Sequence, residues 1–144
     1  DYSLQQLDTL TIFKDQIHEH KTLRVNYTTY DLRREQDILN PRSRADLMVL
    51  SDASAGDDAP HPYWFARLVY TFHVNVYFRG EDPSACRQVV VLLVRWFEHD
   101  SSYASGFEAR RLPRVAFHPL GTSQCWDFID PATVIRGAHL IPGF

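Results

Sequence analysis

Hydrophobic and polar positions change their rhythm several times along this chain. Leu4, Leu7, Leu10, Phe13 and Ile17 recur at spacings of three and four. One apolar stripe of that period predicts a helix over residues 3–20, with Ser3 as N-cap and Gln6, Lys14 and Glu19 on the polar face. From Thr22 the period drops to two. Leu23, Val25 and Tyr27 alternate with Arg24, Asn26 and Thr28, which predicts a strand. The charge-dense stretch Asp31 to Asp37 reads as a turn of helix, and Asn40-Pro41 ends it. Leu47 to Leu50 reads as a short strand.

Residues 51–62 form a polar loop with one glycine and two prolines. Tyr63 to Phe78 is almost unbroken strand composition, interrupted near His73. Gln88 to Phe97 is the most apolar strand, which predicts a central place in a sheet. With the turn at 79–86 these two make a long hairpin. Beyond Glu98 the pattern weakens. Loops are expected at 99–108 and 118–125, with short strands at Val115–Phe117 and Leu140–Ile141. Pro131 opens a helical turn behind Asp130. The predicted fold class is mainly β: roughly five to seven short strands curled around one core as a small barrel, which hides its edges by closure, with an N-terminal helix at the front.

The 144 residues fit one domain. With 44% apolar and 23% charged residues, wholesale disorder is excluded. The longest strongly apolar run, Val89 to Val94, is too short to span a bilayer, so no membrane partner is expected. A net charge of −3 argues against a nucleic-acid binder that works through overall charge. Two cysteines, Cys86 and Cys125, make no disulfide framework and suit a reducing compartment. The chain opens without Met and without a signal-peptide pattern, as expected of a segment of something longer.

No phosphate loop, dinucleotide fingerprint, zinc-protease helix or nucleophile elbow is present. His18-x-His20 is the only close histidine pair, and on a helix two such positions point to different faces. Neither cysteine has a second ligand nearby, so neither a metal nor a cofactor is expected. Residues 21–44 hold Lys21, Arg24, Arg33, Arg34, Arg42 and Arg44 against Asp31, Glu35 and Asp37, interleaved with Tyr27 and Tyr30. Arg110, Arg111 and Arg114 form a second cluster. Both clusters suit phosphate contacts, as in a DNA-contacting accessory domain, and both suit ordinary solvated arginines. Aromatic residues make up 13% of the chain. Tyr63-Trp64-Phe65 enters one strand and Trp96-Phe97 leaves another. Strand neighbours face opposite sides, so one ring of each run faces out. Outward rings at strand ends box a cation through their quadrupoles, or else they fill a small core.

In this order, residues 61–68 (HPYWFARL), 94–97 (VRWF) and 127–142 (DFIDPATVIRGAHLIP) resemble the bromo-adjacent homology (BAH) domain. Residues 46–50 (DLMVL) resemble its opening strand, and the likeness covers residues 45–144. Residues 1–44 would then be an N-terminal helix and strand extension packed on the barrel. Separately, residues 25–37 (VNYTTYDLRREQD) and Asn40-Pro41-Arg42 are similar to the C-terminal part of large transposon-encoded proteins of mushroom-type fungi. The BAH resemblance implies a small distorted β-barrel with long loops, and a non-catalytic module that binds a chromatin protein, such as a histone tail, in the nucleus. It implies an aromatic pocket of Tyr63 and Trp96, with Phe117 and His118 near a third position and Glu98 or Asp100 as the acidic member. The alternatives are the DNA-contacting domain above and a structural packing domain of a larger enzyme.

Overall fold

The computed structural model describes residues 8–51 and 61–143. The strands are β1 (Leu10–His20), β2 (Leu23–Thr28), β3 (Arg34–Leu39), β4 (Asp46–Leu50), β5 (Tyr63–Phe78), β6 (Arg87–His99), β7 (Val115–Phe117), β8 (Trp126–Ile129) and β9 (Val134–Gly137). Single 3-10 turns lie at Pro83–Ala85 and Pro131–Thr133, the second behind the N-cap Asp130 whose carboxylate accepts from the Ala132 amide. No helix among the described residues is long and apolar enough to cross a membrane.

Seven strands build one antiparallel sheet around the long β5. Its β-branched and aromatic run pairs along nearly all its length with β6. Its other edge is shared, with β4 against residues 63–67 and β1 against residues 71–78. β9 extends the sheet beyond β4, and β7 and β8 pair with successive stretches of β6. β2 and β3 form a separate hairpin.

The mainly β expectation holds, and two finer parts of it do not. First, the sheet is open and no barrel closes. Second, residues 10–20 form β1, a strand, where the apolar spacing predicts a helix. Positions Ser3, Leu4, Gln6 and Leu7 of that expectation lie outside the described residues. The cause of the false period is a bulge. Ile12 pairs with Val76 and Ile17 pairs with Val74, so five steps along β1 oppose two along β5. The bulge residues Lys14 and Asp15 have positive φ, 56° and 52°. Extra residues inside a two-residue alternation mimic a spacing of three and four. The apolar side chains are not buried as a helix stripe would be, since Ile17 is 64% exposed.

Smaller corrections follow. The charged stretch before Asn40 holds strand β3 instead of a helical turn. The last strand is Val134–Gly137 instead of Leu140–Ile141, and Trp126–Ile129 adds a strand. The irregularity of β5 lies between Leu68 and Tyr70, ahead of His73.

The core lies on one face of the sheet, here the inner face. Leu47 and Val49 of β4, Ala66 and Leu68 of β5, Leu92 and Val94 of β6 and Val134 of β9 project there. The β2–β3 hairpin covers them with Val25 and Leu39. Burying one such leucine contributes about 1.5–3 kcal/mol. The hairpin is pinned at Gly137, whose amide donates to Asp37 Oδ2 at 2.9 Å. A β-carbon at that position would meet Leu39 Cδ2 at 3.1 Å, so glycine allows the close approach.

Candidate functional site

Strand alternation sorts the predicted pocket residues between the two faces. Ala66 pairs with Trp96, so Trp96 shares the inner face with Trp64, Ala66 and Leu68. Tyr63, an odd number of residues from Ala66, falls on the opposite face. Its ring neighbours His61, which stacks on His99 at 4.7 Å. Tyr63 and Trp96 therefore do not wall one pocket. Phe117 also belongs to the outer face, where it stacks on Phe97 with centroids 4.1 Å apart. Asp100 lies in the turn after β6. Ser102 donates to its carboxylate from both backbone and hydroxyl, and Arg114 sits 3.9 Å away. The Ser102 hydroxyl first, with the backbone amides and the Arg114 charge adding to it, holds this carboxyl below its usual range.

Three predicted residues do converge. Trp96, Glu98 and His118 share the inner face at the end of β6. The His118 amide donates to the Trp96 carbonyl at 3.2 Å, and His118 Nδ1 lies 3.4 Å from Glu98 Oε2. The fourth member is Trp64, which sequence reasoning passed over for Tyr63. The indoles of Trp64 and Trp96 meet at 80° with centroids 5.9 Å apart. Trp96 packs against the core, while Trp64 stays 37% exposed. The result is an aromatic corner with a carboxylate beside it. The alternation could have pointed to Trp64 only once the β5–β6 register was known.

The outer face has different chemistry. One cross-strand row runs Asp46, Arg67, Arg95, Trp126. Beside it Met48 pairs with Arg136 and with Phe65, and Phe97 pairs with Phe117. Arg67 grips Asp46 with two hydrogen bonds, at 2.7 and 3.1 Å, and lies over the Phe97 and Phe117 rings. Arg95 stacks on Phe117 at 4.1 Å, with its Nε enclosed and no acceptor among the described residues. Arg114 stacks on Tyr103 and Arg136 on Tyr27. Such cation–π contacts contribute on the order of 0.5–2 kcal/mol each. A cleft of about 1530 Å³ opens over this face.

The basic residues of segment 21–44 do not form one surface. Arg24 and Arg34 share the hairpin face that carries Asn26 and Gln36, away from the core. Arg33 pairs with Asp31 at 3.0 Å. Lys21 and Arg42 lie in turns, and Arg44 lines the outer cleft.

His18 and His20 share a face after all, because β1 is a strand and positions two apart project together. Across the ladder, His73 stacks on His18 at 4.6 Å, and its Nδ1 lies 2.7 Å from His20 Nε2. No group of three or more His, Cys, Asp or Glu among the described residues is arranged to hold a metal. Cys86 and Cys125 are free thiols, Cys125 fully buried.

No protein-family model, curated protein or solved structure matches this chain.

Proposed function

We propose that this chain is a non-catalytic interaction module of a chromatin-associated, mobile-element protein, and that it takes a methylated ammonium group of a histone tail at the Trp64–Trp96 corner. The carrying observation is that corner: two perpendicular indoles 5.9 Å apart, with Glu98 two residues beyond Trp96 on the same face of β6. A quaternary ammonium is attracted to ring faces, and desolvation between two indoles strengthens that attraction. The Glu98 carboxylate adds a charge of the right sign. Two rings at about 0.5–2 kcal/mol each give at most about 4 kcal/mol, so a micromolar complex, at about 8 kcal/mol, draws at least half of its energy from the Glu98 charge and the peptide backbone. The BAH resemblance supports the same reading through the V-x-W-F strand and implies a nuclear setting.

A fluorescence titration with methylated and unmethylated histone-tail peptides tests it. The expected result is a preference for a methylated lysine, lost in Trp64→Ala and weakened in Glu98→Gln. Trp64 is the better variant because it is half-exposed, whereas Trp96 also supports the core. No binding to any tail, or a Trp64→Ala protein that binds like the parent, would contradict the reading.

A further inference from the structure

We infer that the outer cleft is a second, independent binding site, and that its ligand is an extended acidic peptide segment. Its floor holds the apolar side chains of Met48, Phe65 and Phe97. Five arginines line it, at positions 44, 67, 111, 114 and 136, and Asp37 is its only carboxylate among the described residues. Arg67, Arg114 and Arg136 already face Asp46, Asp100 and Asp37. Arg44 and Arg111 are exposed and reach no carboxylate among the described residues. In a chain of net charge −3, positive charge that no carboxylate among the described residues offsets is thus concentrated in one concavity. Guanidinium forks pair with carboxylates two bonds at a time, which gives geometric selectivity as well as attraction.

Phosphate backbones are the competing anions, and the cleft suits them less well. Single strands are gripped by bases stacking on free ring faces. Of the rings that line the cleft, Phe97 and Tyr103 lie under the protein's own guanidinium groups, which leaves Phe65 as the one phenyl or phenol ring of the described lining without such cover. A duplex presents phosphate and sugar to such a cleft and offers nothing apolar to the floor of Met48, Phe65 and Phe97. An extended peptide meets both parts of the lining. Alternate side chains of such a peptide point to opposite sides, so acidic residues can reach the arginines while apolar ones settle on the floor. The cleft wall from His139 to Gly143 makes no backbone–backbone hydrogen bond among the described residues, and Pro142 carries only a carbonyl.

The test uses the full chain and a fluorescein-labelled octapeptide alternating glutamate with leucine and phenylalanine. Its controls are the same peptide with glutamine for glutamate, and labelled single-stranded and duplex oligonucleotides. Anisotropy should show the glutamate peptide binding at least tenfold more tightly than the glutamine version. It should also bind more tightly than either oligonucleotide. Arg44→Glu/Arg111→Glu should lower that affinity at least tenfold. Both side chains are exposed and reach no carboxylate among the described residues, and Arg111 gives up only its contact over the Tyr103 ring at 5.8 Å, so the variant should melt close to the parent. Trp64→Ala should leave the acidic-peptide affinity unchanged, which separates this site from the indole corner. Equal binding of the two peptides, tighter binding of an oligonucleotide, or parent-like affinity of the double variant would each overturn the inference.

Discussion

The two faces of the central sheet are made from the same strands in the same register, yet they have opposite chemistry. On the inner face Leu47, Ala66, Leu92 and Val94 are sealed from solvent under the β2–β3 hairpin. One residue along each strand, the outer face carries Arg67, Arg95, Phe65 and Phe97 beneath an open cleft. Side-chain alternation is what allows this. Strand pairing stabilises both faces equally, while packing is confined to one and recognition chemistry is spread over the other. The indole corner sits where the inner face runs out of cover. There Trp96 still touches the core and Trp64 has begun to leave it.

Substitutions should therefore separate by face. The largest effect is expected from Leu92→Ala or Leu47→Ala, each removing a fully buried side chain. Urea unfolding should show a loss of about 2–5 kcal/mol. A loss below about 1 kcal/mol would mean that the inner face is not the core. Gly137→Val comes next. Its side chain must displace Leu39 and Asp37, so the hairpin should loosen at a cost of about 1–3 kcal/mol. Hydrogen exchange should then rise in β2 and β3 and stay unchanged in β6. On the outer face Arg67→Ala removes a half-exposed ion pair and two ring contacts. Unfolding should register at most about 1 kcal/mol, and a loss as large as that of Leu92→Ala would erase the distinction between the faces.

The smallest expected effect is a slope with pH. Burial, with the charges of His18 and His20 added, holds the His73 imidazole below the usual histidine range. Burial does the same to His99 against a weaker opposing pull from the Tyr63 carbonyl and a small push from His61. In both cases the unfolded chain takes up its proton first as pH falls. Stability is therefore full above about pH 6.5 and declines below it, until the folded forms protonate as well. Melting temperatures measured between pH 7.5 and 5.5 should fall, and less steeply in His73→Gln. A curve that is flat or rises on acidification would contradict these environments.

Much of the sheet was legible along the chain. β5 shows as a run rich in β-branched and aromatic residues from Tyr63 to Phe78, and the structure gives it those same ends. β6 is legible for the same reason. β1 was not, because its bulge at residues 13–16 counterfeits a helical period. Closure of the sheet was also illegible, since it depends on whether the distant edge strands β7 and β9 meet. The site was half legible. The V-x-W-F strand points to Trp96 and Glu98, and alternation says that only one of Tyr63 and Trp64 can join them. Choosing between them requires the cross-strand pair Ala66–Trp96, a contact 30 residues apart in the sequence that no local pattern encodes.

Three tryptophans make the central claim directly measurable, because Trp64 and Trp96 line the corner and Trp126 stands on the opposite face beside Arg95. Their indole N–H resonances can be followed while a trimethyllysine histone-tail peptide is added. The account expects the Trp64 and Trp96 signals to shift together, with one common micromolar-scale affinity, while Trp126 stays in place. A peptide that moves Trp126 alone, or moves none of the three at saturating concentration, would contradict it.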